Sequence, residues 1–136
     1  MTPPEDKALR RLVGQWVHKA DQDIRAAESL LTDDPPLLYP SCFHSQQAAE
    51  KYLKALLTWH GAEVPKTHAL GQLLDLLAVV DAPLSERLSD ATALNPYSIE
   101  VRYPADFPEP DAAEAQEALA LAEKVRDAVM RALPGF

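Results

Sequence analysis

The chain has 136 residues, a formal net charge of −8, 47% hydrophobic residues and one cysteine. This length suits one globular domain, and the hydrophobic content is enough for a single core and too high for a disordered chain. The charge is uneven, because residues 1–68 carry 8 Lys/Arg and 9 Asp/Glu, whereas residues 69–136 carry 5 and 12. An acidic second half repels phosphate backbones, which argues against binding nucleic acid through bulk charge.

The sequence predicts neither a secretory signal nor a membrane span. The first residues, MTPPEDKALRRLVGQW, lack a basic stretch followed by an apolar run, and no run of about 18 apolar residues occurs. Cys42 has no second cysteine to pair with, which excludes an internal disulfide and fits a reducing compartment. We therefore expect a soluble cytoplasmic protein whose single domain spans residues 1–136.

Apolar residues recur at helical spacing in four segments, in chain order. The first predicted helix covers residues 9–31 and ends at TDDPP, since proline cannot continue the hydrogen-bond ladder. The second covers residues 41–60, with Gly61 as a left-handed stop, and the third covers residues 69–80, with Thr67 as a capping hydroxyl. A short helix is predicted at 84–94, and a last long helix runs from the N-cap Asp111 to residue 132.

Between the last two helices lies NPYSIEVRYPADFPEP, residues 95–110, with four prolines. Its aromatic and branched residues favour burial, so we predict an ordered, largely non-helical crossover; these residues are Tyr97, Ile99, Val101, Tyr103 and Phe107. No convincing pair of strands is found. The predicted fold is all-α, an antiparallel up-and-down helical bundle of four main helices plus one short helix.

The second predicted helix raises a question about its polar side. On a helical wheel this side carries Gln46, Gln47, Glu50, Lys51 and Lys54. A solvated face explains these residues, because an exposed Glu50–Lys54 pair contributes about 0.3 kcal/mol. It does not explain why Phe43 and Leu57 lie on the same side. The open alternative is that another helix, the crossover or a second subunit covers this side.

Several pieces of the sequence, in this order, resemble the HEPN domain family (higher eukaryotes and prokaryotes nucleotide-binding). They are WVHKADQDIRAAESLL, FHSQQAAEKYLKALLTWHG, PKTHALGQLLDLL, and RYP before the last helix. The resemblance covers most of the chain, from Trp16 onwards. It implies a helical bundle that usually forms homodimers and is proposed to bind nucleotides. It also implies frequent pairing with a small nucleotidyltransferase, often as a toxin–antitoxin pair.

The most specific matching positions supply the candidate nucleotide-binding residues. These are Gln47, Glu50, Lys51, Lys54, His68, Arg102 and Tyr103. The ligand would be ATP or another nucleotide, and no further cofactor is expected. Structural roles remain open for three of these residues: His68 would bridge the turn after Pro65, Arg102 would pair with an acid such as Glu50, and Tyr103 would pack on a helix.

Many HEPN proteins are metal-independent ribonucleases that carry an Arg, four to six residues, and then a His. Arg102 is followed by no histidine, and none lies beyond His68. Arg11 and His18 have the spacing but lie in the first predicted helix, so we interpret them as a coincidence. General acid–base cleavage of RNA then has no evident proton-transfer group.

The scattered histidines and Cys42 show no metal-ligand spacing either. We therefore predict no catalytic residue and no metal site. The expected function is a non-catalytic HEPN protein that binds a nucleotide and partners a nucleotidyltransferase. The alternatives are a ribonuclease toxin with a displaced catalytic set and a pure protein-interaction scaffold.

Overall fold

The computed structural model describes residues 6–99 and 108–136, and within these ranges the regular structure is entirely helical. The elements in order are α1 (Lys7–Thr32), α2 (Leu38–Trp59), α3 (Leu70–Val80), α4 (Ala82–Arg87), a 3-10 helix (Ser89–Tyr97) and α5 (Ala112–Ala132). The predicted all-α bundle is confirmed. None of the helices in the described ranges is long and apolar enough to cross a membrane.

Local capping sets the ends of the long helices. Asp6 accepts a hydrogen bond from the Leu9 N–H at the start of α1. At the start of α5, the Asp111 side chain accepts from the Glu114 N–H, and Glu114 accepts from the Asp111 N–H, which forms a capping box. Gly61 follows α2 with a φ of 75°, so the predicted left-handed stop is confirmed.

The start of α3 differs from the prediction. The Thr67 hydroxyl accepts from the Ala69 N–H, one residue before the helix begins. The first N–H group of α3, that of Leu70, donates instead to Oδ1 of Asn95 in the 3-10 helix, at 3.0 Å. The cap therefore comes from a residue that is distant in sequence, and the helix end is held by tertiary structure.

The region after α3 also departs from expectation. The predicted helix at 84–94 is divided into α4 and the 3-10 helix, and Leu84, Leu88 and Leu94 are buried along the two. The 3-10 helix extends to Tyr97, into the segment expected to be non-helical. Ile99, which was expected to be buried, is 49% exposed. The predictions for residues 100–107 lie outside the described residues.

Helix α2 occupies the centre of the bundle and contacts α1, α3, the 3-10 helix and α5. It runs antiparallel to α1, because Ser41 near its start donates to the Ala27 carbonyl while Lys54 near its end lies over the Trp16 ring. Leu57 is completely buried, and full burial of a leucine contributes about 1.5–3 kcal/mol. The alternative of a solvated α2 face is therefore wrong.

Candidate functional site

The polar side of α2 carries a hydrogen-bonded network whose centre is Glu50. Its Oε2 accepts from Lys54 Nζ at 2.9 Å, and its Oε1 lies 2.9 Å from His68 Nδ1. Gln46 Nε2 also reaches Oε1, at 3.4 Å. Because an ionised carboxylate is acceptor-only, His68 presents its Nδ1 as a donor. The carboxylate thus has three partners from two parts of the chain.

The Glu50–Lys54 pair is buried, which favours the covered side over the solvated side that the sequence had left open. The two side chains are 4% and 7% exposed. The sequence could not decide between the two, because a helical wheel does not show what covers a helix. A buried ion pair of this kind is costly to break, since the remaining charge then lacks a counterion in a medium that solvates it poorly.

His68 lies in the segment between α2 and α3, which folds back along α2. Its ring is largely exposed, whereas its carbonyl accepts from Gln46 Nε2 at 3.0 Å. His68 therefore links this segment to α2, whereas the structural role considered from the sequence was to bridge the turn after Pro65. Gln47 is half-buried and donates to the Gln46 Oε1 at 2.7 Å. Gln46 connects His68 to Gln47 and is completely buried. The sequence placed it on the polar side of α2 but not among the candidate residues.

A cleft of about 500 Å³ opens beside this network. It lies between the first half of α1, the end of α2 and the segment that follows α2. The lining residues are Leu9, Leu12, Trp16, Lys54, Thr58, Gly61, Ala62, Val64, Pro65 and Lys66. Lys54 Nζ stands 5.6 Å from the Trp16 ring centroid, so a cation and an aromatic ring share one wall. Trp16 is only partly buried.

Lys51 belongs to a second cluster, separate from Glu50. Its Nζ donates to Asp23 Oδ2 at 2.5 Å, and His44 Nδ1 lies 2.8 Å from the other oxygen of the same carboxylate. Asp23 is almost completely buried, whereas the His44 ring is about one-third exposed. Sequence reasoning missed both residues. The available signal was the position of Asp23 next to Ile24 at the edge of the apolar stripe of α1.

Two further buried groups have raised pKa values that make them poor reactive groups at neutral pH. Burial raises the pKa of the Cys42 thiol to about 11, although a hydrogen bond with Tyr97 acts in the opposite direction. Burial also raises the pKa of the Tyr52 hydroxyl, and the Asp21 carboxylate to which it donates adds to the shift. Cys42 is therefore protonated and an inert part of the core.

Of the seven candidate residues, the structure brings together Glu50, Lys54 and His68, with Gln47 attached through Gln46. It places Lys51 in the Asp23 cluster instead. Arg102 and Tyr103 lie outside the described residues. Within the ranges 6–99 and 108–136, no three His, Cys, Asp or Glu side chains are grouped so that they could hold a metal ion.

The fold and the site define a class of protein, a helical bundle with a cleft beside its central helix. The central helix carries a buried carboxylate that contacts a lysine and a histidine. The HEPN domain family model matches residues 13–132. The crystal structure of TT1696 from Thermus thermophilus is similar, with 34% identity and a TM-score of 0.71 over 89% of this chain and 98% of that chain. ST0689, an archaeal HEPN homologue, is 25% identical with a TM-score of 0.67, over 88% and 96%.

No curated protein matches the chain. The family model nevertheless covers far more than half of the sequence. The chain belongs to the HEPN domain family.

Proposed function

We propose that this chain is a non-catalytic HEPN protein of the cytoplasm. It binds ATP or another nucleotide, forms a homodimer, and partners a small nucleotidyltransferase in a toxin–antitoxin-like pair. The observation that carries the nucleotide proposal is the cleft in which Lys54 and Trp16 lie together. The non-catalytic part rests on the absence of a histidine after Arg102.

The cleft has the kinds of side chain that a nucleotide requires. Nucleobases stack on aromatic side chains, which suits the Trp16 ring beside Leu12. Lysine ammonium groups bind phosphates as point charges, which suits Lys54 at the wall and the exposed Lys66 at the rim. Glu50 already neutralises much of the Lys54 charge, so Lys66 would supply most of the attraction for phosphate.

The other candidate residues have supporting roles in this proposal. His68 and Gln47 hold the Glu50 network and thereby the position of Lys54. Lys51 lies one helical turn before Lys54 and would contact only a ligand that extends along α2. Arg102 and Tyr103 remain proposed contacts on the basis of the family resemblance alone.

Calorimetric titration with ATP, GTP and other nucleotides tests binding. Trp16 fluorescence gives a second signal, recorded in Trp59→Phe so that one tryptophan remains. We expect Lys66→Ala to weaken binding and Lys124→Ala to leave it unchanged, because Lys124 pairs with Asp90 away from the cleft. If millimolar nucleotide produces neither heat nor a fluorescence change, the nucleotide proposal is wrong and the scaffold alternative takes its place.

The partner is tested separately. The reading frame next to the gene should encode a small nucleotidyltransferase, and the two purified proteins should co-elute in size-exclusion chromatography. Light scattering on the chain alone should give the mass of a dimer. Growth assays that express each protein alone and then both together would show which member is toxic. A monomeric chain with no such neighbour would contradict this part of the proposal.

A second candidate function, a metal-independent ribonuclease with a displaced catalytic set, is favoured by the Asp23–His44–Lys51 cluster. Nδ1 of His44 faces the Asp23 carboxylate, so Nε2 is the ring nitrogen left to take part in proton transfer. Lys51 adds a cation within reach of the same site. A carboxylate that orients a histidine is a recurring arrangement in proton-transfer catalysis.

Incubation of purified protein with structured and unstructured RNA, with Mg²⁺ and with EDTA, separates the two candidates. Under the leading proposal the RNA remains intact in every condition. Cleavage in EDTA that is lost in His44→Asn would establish the ribonuclease and place its site at this cluster. Cleavage lost in Arg102→Ala but retained in His44→Asn would place the site near the crossover instead.

A further inference from the structure

The outer face of α1 is basic, although the protein as a whole carries a net charge of −8. We call this surface the basic face, and it consists of six exposed residues: Arg11, Gln15, His18, Lys19, Gln22 and Arg25. They share one side of the helix between residues 11 and 25 and span about 21 Å along its axis. Most of them line a shallow depression of about 600 Å³.

The basic face has its charge because the acidic side chains in this part of α1 contact α2 instead of lying on that face. Between residues 7 and 27 the helix has two carboxylates, and both engage α2. Asp21 accepts from the Tyr52 hydroxyl, and Asp23 pairs with Lys51 and His44. Arg11 and Lys19 are thus left without an unengaged acid three or four residues away on α1, whereas Arg25, at the end of the face, has the exposed Glu28 three residues later.

From this charge segregation we infer that the basic face docks a partner protein whose contact surface presents a row of Asp and Glu side chains. Arginine binds a carboxylate through two parallel N–H bonds, and the glutamine amides between the cations donate further hydrogen bonds. This inference is independent of what the cleft binds.

Two other occupants fit the face less well. In a two-fold dimer that used this surface, each protomer would set its own cations against those of the other, which is repulsive. A polynucleotide would continue beyond the roughly 21 Å of the face and meet the acidic surface elsewhere on the chain. A folded protein contacts only the area where its carboxylates lie, so the charges outside that area are screened over about 8 Å.

The size of the face sets the kind of complex. A single helix face is well below the roughly 800 Å² per partner of a standard stable interface. Docking through these charges would therefore be fast, weak and sensitive to salt, unless the partner also contacts neighbouring surfaces. The complex should therefore be measured at low salt and again as the salt concentration is raised.

Fluorescence anisotropy with labelled polyglutamate, and with a single-stranded RNA oligonucleotide of equal formal charge, tests the inference. Polyglutamate should bind at low salt and dissociate as salt is raised. Arg11→Glu combined with Lys19→Glu should weaken binding about tenfold or more, since it reverses two of the three formal charges of the face. The milder variant, Arg11→Gln combined with Lys19→Gln, should lose less of the affinity for polyglutamate. Because it only neutralises the two charges, it shows whether the loss in the reversed variant comes from charge or from misfolding.

The matched control is Arg87→Glu combined with Arg131→Glu, which makes the same change in net charge at exposed positions outside α1. It should bind polyglutamate nearly as well as the native chain. Three results would overturn the inference: no polyglutamate binding at low salt, RNA bound more tightly than polyglutamate through the same residues, or an α1 charge reversal that turns a dimer into a monomer.

Discussion

Lys54 donates to the carboxylate of Glu50, one helical turn earlier on α2, at 2.9 Å, and both side chains are almost completely removed from water. This is the most buried ion pair in the part of the chain that the structure describes. Other groups of the bundle surround the pair, since His68 and Gln46 approach the second oxygen of Glu50 and the Trp16 ring lies beside the ammonium.

Glu50→Gln should destabilise the fold by about 3–5 kcal/mol, because it leaves the Lys54 charge buried without a counterion. Urea denaturation measures the change in the free energy of unfolding. Asp90→Asn is the control, since it breaks the exposed Lys124–Asp90 pair and should cost less than about 1 kcal/mol. Replacing both buried partners together, Glu50→Leu with Lys54→Met, should recover most of the loss.

Tyr52→Phe should cost about 1–3 kcal/mol, because the hydroxyl of this buried tyrosine donates to the carboxylate of Asp21. Asp21→Asn and the double variant complete a thermodynamic cycle that isolates the energy of this hydrogen bond. Thermal unfolding of the four proteins supplies the values. A coupling energy near zero would mean that the two groups do not interact in solution.

The free energy of unfolding should fall as pH rises from about 9 to 11, because the buried Cys42 thiol has its pKa raised from 9.0 to about 11. In this window the unfolded chain releases the proton while the native chain keeps it, so the native state binds more protons and loses stability. The slope is about 1.4 kcal/mol per pH unit for one group. In Cys42→Ala the curve should be less steep, and identical slopes would exclude this assignment.

Asp111→Ala should destabilise α5 and the fold by about 1 kcal/mol, because it removes the side chain that accepts from the Glu114 N–H. Glu114→Gln is the matched control. A glutamine oxygen can still accept from the Asp111 N–H, so the capping box remains and the change should stay within about 0.5 kcal/mol. Denaturant unfolding followed by circular dichroism compares the two.

Local signals predicted most of the fold. Helical spacing of apolar residues located α1, α2, α3 and α5 to within a few residues, and the ends at Gly61 and Asp111 follow from properties of those residues alone. The cap of α3 could not be predicted in this way, because Asn95 reaches Leu70 only once the bundle is folded.

The candidate site was predicted less well, for the same physical reason. Sequence spacing placed Glu50 and Lys54 on one side of a helix, but it did not show that this side is buried or that His68 folds back onto it. Lys51 was grouped with Lys54, yet its partner is a carboxylate on another helix, Asp23. Pairs between helices depend on how the helices pack, and a single sequence does not encode that packing in its local pattern.

The shared carboxylate of Glu50 constrains how the cleft can use Lys54. An ammonium group has three N–H donors, and the ion pair with Glu50 occupies one of them. An anion in the cleft can therefore coordinate the remaining donors without displacing Glu50. A ligand that took all three N–H donors of Lys54 would leave the buried Glu50 carboxylate without its counterion. Such a ligand would bind more weakly, because its binding would have to offset the loss of this ion pair.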